Sequence, residues 1–138
     1  MEQLVNIAIA RRFDDLGWHD AALGRVTIYH EGMEDRVSIA IGFTGRSQLS
    51  TVVTFRHCAY VQMDIDLIGR QQCSDHIATA YCSESSPWLD KLKSENPQYD
   101  YKDLLHFKVE LISPGGILDV LARDFIAVDD AARRDSRR

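Results

Sequence analysis

The segment from residue 36 to residue 43 (RVSIAIGF) constrains the fold of this chain more than any other part of the sequence. Large apolar side chains alternate there with small ones, in the order Val37, Ser38, Ile39, Ala40, Ile41, Gly42 and Phe43. Because successive side chains of a β-strand point to opposite faces, this period of two predicts a strand with one buried face. The chain must therefore supply partner strands for it.

Similar patterns recur along the chain with short turns between them. They occupy residues 23–30, 49–56, 59–67, 104–112 and 117–128, the last as one long strand or two short ones with a bulge near Arg123. Short connections favour antiparallel neighbours, since a parallel pair needs a crossover of about a dozen residues. We therefore predict a mainly β (α+β) fold, with six to seven antiparallel strands in a bent sheet or barrel-like meander.

Helical signals lie at two places outside the strands. Residues 2–13 have apolar side chains near helical spacing, and Gly17 follows as a stop. Val5 and Ile9 interrupt this pattern, so a strand is the alternative to the helix. One or two short helices are expected between the fourth and fifth predicted strands. Residues 70–83 show weak helical spacing, while Ser86 and Pro87 are typical of an N-cap and the first residue of a helix that extends to about residue 94.

The length of the chain and the charge pattern of its end predict one domain and a tail. The 138 residues suffice for a single core. We assign residues 1–128 to one β-rich domain. The last segment, 129–138 (DDAARRDSRR), has no core-forming side chain and is expected to be a flexible, arginine-rich tail.

The charge balance and the hydropathy pattern restrict the partners and the location. The net charge is −5, and four of the arginines lie in the tail, so the folded body is more acidic still and disfavours nucleic acid. No apolar run approaches the roughly 20 residues that span a bilayer, which disfavours a membrane. The sequence shows no signal peptide, and three sparse cysteines do not form a disulfide framework, so a cytoplasmic protein is expected.

An acidic face is the first candidate site. Asp64 and Asp66 alternate on the predicted outer face of the 59–67 strand, and Glu110 lies in the 104–112 strand. Carboxylates at this spacing could hold a divalent cation, but a hard-cation site needs further ligands, and an alternating acidic face is more often solvated. The sequence therefore predicts no metal site and no cofactor, and we assign these three acids to partner binding.

A second candidate is a pocket lined by polar and aromatic residues from separate segments, namely Trp18, His19, Asp20, His30, His57 and Tyr60. His19 and Asp20 could form a base with its orienting carboxylate. Adjacent residues on an extended chain point in opposite directions, however, so a turn beside a buried Trp18 is the favoured interpretation.

The remaining motifs do not favour an enzyme. Cys73, His76 and Cys82 lack the paired spacing of a structural zinc site, and buried free thiols are the expected alternative. The sequence contains no G-x-S-x-G, P-loop, G-x-G-x-x-G after a strand or H-E-x-x-H motif.

Several short motifs together resemble a known group of proteins. They are Trp18-His19-Asp20-Ala21 followed by Leu23, the helix start Ser86-Pro87-Trp88-Leu89, and the turn Gly115-Gly116 between predicted strands. In this order they resemble small uncharacterised bacterial β-sheet proteins, some of which are assigned as immunity proteins of polymorphic toxin systems. The resemblance spans about residues 18–126. It implies a binder that neutralises a toxin, and it implies no catalytic residue.

Three functions therefore remain open from the sequence. The leading hypothesis is a protein-binding module, such as an immunity protein with a basic, toxin-like partner. The first alternative is a small-molecule or metal-binding protein, or a small enzyme, with a pocket in the bent sheet. The second is a structural homo-oligomer, for example a homodimer in which an exposed edge strand pairs across a twofold axis.

Overall fold

The computed structural model describes residues 2–19, 21–43, 51–65, 76–98, 103–112 and 115–129. Two helices and eight strands lie within these ranges: α1 (Glu2–Asp14), β1 (Ala22–Glu31), β2 (Glu34–Gly42), β3 (Thr51–Arg56), β4 (Tyr60–Ile65), β5 (Ile77–Ser83), α2 (Pro87–Glu95), β6 (Leu105–Leu111), β7 (Gly116–Ala122) and β8 (Asp124–Asp129). The fold is thus mainly β, as predicted, and β8 extends one residue into the expected tail. The rest of that tail lies outside the described residues.

The strands form two antiparallel sheets of four strands each, in the orders β1-β2-β3-β8 and β4-β7-β6-β5. The prediction of one bent or barrel-like sheet of six to seven strands is therefore wrong in its strand count and in its closure. In the described ranges, one isolated bridge, Ala22 with His76, links the first strand of one sheet to the segment before β5, and Ile77 N–H donates to Ala21 O nearby.

A bent two-stranded ribbon carries the chain from one sheet to the other. β3 pairs with β8 in the first sheet, and their continuations, β4 and β7, pair in the second. Hydrogen bonds from Ala59 N–H to Leu121 O and from Arg123 N–H to Arg56 O keep the ribbon paired through the corner. His57 has a φ of 53° at this bend. The bulge predicted near Arg123 is thus the point where the strand leaves one sheet and enters the other.

The core lies between the two sheets and is completed by α1. Phe13 of α1 is fully buried, and its ring contacts Phe55 and Phe125 of the first sheet and Phe107 of the second. The carboxylate of Asp14 accepts a hydrogen bond of 2.9 Å from Cys82 N–H of β5. The predicted N-terminal helix is confirmed, and it both fills the core and covers part of an edge strand.

β5 is the strand that the sequence did not predict. Helical spacing was expected over residues 70–83, but residues 77–83 pair with β6 in an antiparallel ladder. The register shifts between Ile77 and Thr79, so the inward residues do not follow a period of two. The inward residues Ile77, Ala80 and Cys82 are therefore three and then two positions apart, and Tyr81, which shared the helical spacing, points outward. Residues 70–75, including Cys73, lie outside the described residues.

Strand faces elsewhere largely agree with the predictions. The inward residues of β6 (Leu105, Phe107, Val109 and Leu111) are all buried. Met63 of β4 was predicted to be inward but is 51% exposed, because β4 is the edge strand of its sheet. β6 and β7 are adjacent antiparallel strands, as the turn at Gly115-Gly116 predicted.

Candidate functional site

The outer face of the second sheet is the surface that gathers the most candidate residues. Its outward side chains form three cross-strand rows, each read in the order β4, β7, β6 and β5. The first row is Tyr60, Leu121, His106 and Ser83; the second is Gln62, Asp119, Lys108 and Tyr81; the third is Asp64, Ile117, Glu110 and Thr79. Antiparallel pairing places the members of a row side by side, so they act together.

Helix α2 covers the middle of the first row, at Leu121 and His106. It begins at Ser86, whose Oγ accepts a hydrogen bond of 3.2 Å from Leu89 N–H, and Pro87 is the first helical residue. Leu89 is buried against Leu104 and Leu121, the latter from the first row. The predicted N-cap and helix are thus confirmed. Their position against this face follows from the apolar contact of Leu89 with the sheet.

A chain of polar side chains runs beneath the start of α2. His106 Nε2 lies 2.6 Å from Asp119 Oδ1, and His106 Nδ1 lies 2.8 Å from Ser86 Oγ. His106 and Asp119 are only 5% and 6% exposed. The two residues are diagonal neighbours on β6 and β7, which lets their side chains meet. We refer to Leu121, His106 and Asp119 as the covered part of the face.

The Ser86–His106–Asp119 chain gives both ring nitrogens of His106 a hydrogen-bond partner. A histidine ring nitrogen can donate to a carboxylate on one side while the other nitrogen accepts from a hydroxyl, and this arrangement matches the two contacts. Ser86 Oγ in turn accepts from Leu89 N–H. The same three residue types serve nucleophilic hydrolases, but here the serine oxygen is the helix cap and the histidine is buried. The chain therefore ties α2 to the sheet. No sequence motif indicated this chain of side chains, because its three members belong to three different elements and extend over 33 positions.

A groove lies beside the covered part, between α2 and β4. The ring of Trp88 stands between Tyr60 and His106, with ring centroids 5.5 Å and 5.8 Å away. The groove has a volume of about 410 Å³. Its lining comprises Tyr60, Gln62, Pro87, Trp88, Lys91, Leu92, Glu95 and Leu121. Of the residues assigned to a pocket from sequence, this groove contains Tyr60.

The rest of the face is open to solvent. We call its six outward residues the open part: Asp64, Ile117, Glu110, Thr79, Lys108 and Tyr81. Tyr81 is 41% and Ile117 36% exposed. Asp64 and Glu110, two of the three acids assigned to partner binding, lie in one row with Ile117 between them. The third, Asp66, lies outside the described residues.

Trp18 and His19 lie at the entry to β1, in different environments. Trp18 is buried against Phe13 and donates a hydrogen bond of 2.6 Å from Nε1 to Phe13 O. His19 is exposed and borders a surface depression beside Phe43. Asp20 lies outside the described residues. Trp18 is thus a core residue, as the favoured interpretation held, and is not a wall of the groove at Tyr60.

His30 and His57 lie near the β1–β2 turn, the opposite end of β1 from His19. The strand has 10 residues, so the two ends are about 30 Å apart. His30 Nδ1 is 2.9 Å from Asp35 Oδ1, and His57 Nε2 is 3.0 Å from Glu34 Oε2. A hydrogen bond from Arg36, opposed by partial burial and aided by His57, lowers the pKa of Glu34. The structure therefore spreads the predicted pocket residues over three separate places.

The described thiols are poor nucleophiles. Burial raises the pKa of Cys58 to about 11 and also raises the pKa of Cys82, so neither is a thiolate near neutral pH. The described ranges contain no group of three or more histidine, cysteine, aspartate or glutamate side chains that could hold a metal ion. No helix within them is long and apolar enough to cross a membrane.

Comparison with known proteins finds no matching family model, no similar curated protein and no similar solved structure.

Proposed function

We propose that this chain is a protein-binding module whose recognition surface is the open part of the second sheet together with the adjoining groove. One observation carries the proposal: Asp64, Ile117 and Glu110 stand side by side in a cross-strand row on strands β4, β7 and β6. The row combines two carboxylates with an exposed apolar side chain. An interface of this composition can steer a partner by charge and hold it by apolar contact.

Exposed aromatic side chains support this assignment. Tyr60 and Tyr81 are 42% and 41% exposed and stand on opposite edge strands of the same face. Tyrosine is enriched at interfaces because it offers a large contact area with few rotatable bonds. The strands that carry these side chains are paired into a sheet, so little conformational entropy is lost when a partner binds.

The charge of the surface favours a basic partner. Within the open part, the two carboxylates of Asp64 and Glu110 outnumber the single ammonium group of Lys108, whose Nζ lies 3.5 Å from Glu110 Oε1. The whole chain carries a net charge of −5. The resemblance to immunity proteins of polymorphic toxin systems implies a toxin as that partner, and a basic, nuclease-like toxin would be attracted at long range.

The groove supports a second candidate function, the binding of a small molecule. Its volume of about 410 Å³ falls in the range of ligand pockets, and Tyr60 and Trp88 provide aromatic walls. In the leading proposal the same groove receives an apolar side chain of the protein partner. The experiment below separates the two.

The test is a native pull-down of the full chain from its own host, with mass spectrometry of bound proteins and of bound small molecules. Wild type is compared with Asp64→Lys combined with Glu110→Lys, and with the matched control Asp15→Lys at the exposed end of α1. We expect a basic protein to co-purify stoichiometrically with wild type and with the control variant. The double substitution should weaken its binding by roughly a hundredfold, because attraction becomes repulsion.

Two results would overturn the leading proposal. One is a protein partner that the double variant retains at wild-type affinity, since the open part would then lie outside the interface. The other is recovery of a metabolite alone, lost on Trp88→Ala but not on the double charge reversal. That result would establish the groove as a ligand site.

A further inference from the structure

Strand β1 is an edge of the first sheet in the described part of the chain, and it is long. It pairs with β2 on one side at Ala22 and Leu23 and, after a register shift between Leu23 and Val26, over Val26–Glu31. Its first residue is linked to His76 by the isolated bridge, but Arg25 and the residues after it have no ladder partner on the other side within the described ranges. A long edge strand of this kind is a template for pairing with another strand.

The hydrogen-bond pattern of β2 identifies the groups that β1 directs outward. Asp35 O accepts from Cys58 N–H, so this carbonyl points away from β1. Asp35 and His30 are opposite each other, and they are therefore a non-hydrogen-bonded pair of the β1–β2 ladder. By alternation, Val26, Ile28 and His30 present their N–H and C=O groups to the outer edge.

Ile28 is the residue that this edge leaves incompletely packed. It stands in a row with Val37 and Phe55, which are 1% and 0% exposed, yet Ile28 itself is 60% exposed. The next strand along this edge would cover it. Removing this apolar side chain from water favours the pairing.

We propose that a second copy of this chain supplies that strand, by antiparallel pairing of β1 with β1 about a twofold axis at Ile28. Val26 and His30 of one copy then exchange main-chain hydrogen bonds with His30 and Val26 of the other, and the two Ile28 side chains meet. Several registers allow the main-chain groups of Val26, Ile28 and His30 to pair with those of the other copy. In each of them the buried faces of the two sheets lie on the same side.

Charge complementarity selects the register centred on Ile28. It places Arg25 of each copy directly opposite Glu31 of the other, in a non-hydrogen-bonded pair where side chains are closest. An axis at Thr27 would place Arg25 opposite Tyr29, and an axis at Tyr29 would place it opposite Met33. Both charged residues are exposed, and Glu31 already accepts from Arg36 through one oxygen at 3.2 Å.

This interface is independent of the proposed function, because β1 belongs to the first sheet and the open part to the second. The test is sedimentation of the full chain over roughly 1 to 200 µM. We expect a monomer–dimer equilibrium. Arg25→Glu and Glu31→Arg should each weaken the dimer at least roughly tenfold, since each reversal affects both symmetry-related pairs.

The two reversals together are the decisive variant. In the double variant the opposite charges face each other again, and we expect the dimer to return to within roughly threefold of wild type. A loss caused only by the contact of Glu31 with Arg36 would not be rescued. Arg123→Glu and Asp15→Arg, exposed reversals away from β1, should leave the dimer unchanged.

Ile28→Pro tests the backbone bonds directly. Its N–H points away from β2, so an edge proline spares the internal ladder but removes one intermolecular bond and its symmetry mate. We expect circular dichroism to show that this variant is folded and sedimentation to show that it is a monomer. A monomer at every concentration of wild type would overturn the proposal. A dimer that is insensitive to the single reversals, or is not restored by the double one, would also overturn it.

Discussion

The covered and open parts of the second sheet use the same strands, β6 and β7, for opposite purposes. In the covered part, His106 and Asp119 are almost fully buried and complete a chain of hydrogen bonds with the helix cap. In the open part, Lys108 and Glu110 follow on the same face of β6, and their ion pair is partly solvated. Two residues of strand separate a buried polar pair from a surface one.

This difference shows that packing, and not residue type, decides how much a charged side chain contributes to the stability of the fold. A buried polar group without its partner destabilises the folded state by the full cost of its desolvation. An exposed ion pair is screened by water and contributes little to stability. Helix α2 creates the difference by lying over the middle of the first row, where it meets His106, and by leaving the third row open to solvent. Substitutions in the covered part should therefore reduce stability, and those in the open part should reduce binding.

The largest effect is expected for His106→Ala. It leaves the carboxylate of Asp119 buried without its partner, and we expect the free energy of unfolding to fall by about 3 kcal/mol. Lys108→Ala, two residues further on the same face, is the matched control and should stay within about 0.5 kcal/mol of wild type. Urea unfolding measures both. Equal losses for the two variants would mean that α2 does not create the contrast.

The next effect is expected for Leu89→Ala, which removes the apolar anchor of α2. The side chain is 1% exposed, and its truncation should cost about 2 kcal/mol through lost burial and a cavity. Leu92→Ala, on the same helix but only partly buried, should cost less. Hydrogen exchange of the α2 amides should rise in the Leu89 variant, and unchanged protection would contradict the anchoring role.

A smaller effect is expected for Ser86→Ala. The substitution removes the cap of α2 and the hydroxyl that meets His106 Nδ1, and we expect a loss of about 1 kcal/mol in urea unfolding. Ser86→Thr keeps a hydroxyl and should recover most of the loss. If the alanine and threonine variants are equally unstable, the hydroxyl is not the group that matters.

The smallest effect on stability is expected for Asp64→Lys in the open part. Asp64 is exposed on an edge strand, so the free energy of unfolding should change by less than about 0.5 kcal/mol. Its binding to the partner captured in the pull-down should nevertheless weaken by at least roughly tenfold. A large loss of stability would remove the distinction between the two parts of the face.

Much of the fold was predictable because local signals and tertiary packing agree. α1 and α2 were predicted from helical spacing and from the Ser86–Pro87 cap, and β2 and β6 from strict alternation. β5 was not predicted because its register shift breaks the period of two. The two-sheet arrangement was not predicted either, since no local signal at His57 or Arg123 indicates which sheet the chain enters next.

The candidate site was predictable only in part, for the same reason. Alternation correctly placed Asp64 on the outer face of β4, and the structure adds Glu110 in the same row. His30, His57 and Tyr60 do not converge, because the bend at His57 sends β3 and β4 into different sheets. Ser86, His106 and Asp119 do converge, and the sequence spreads them over three elements.

The sequence by itself determined which residues form strands and helices and which faces of them are apolar, because those properties depend on neighbours a few positions away. Only the tertiary structure decided how the strands divide between two sheets, which row α2 contacts, and that β1 lies at an edge in the described part of the chain. These outcomes depend on contacts between residues far apart in the chain. A pattern of period two records that a face is buried, but not which element buries it.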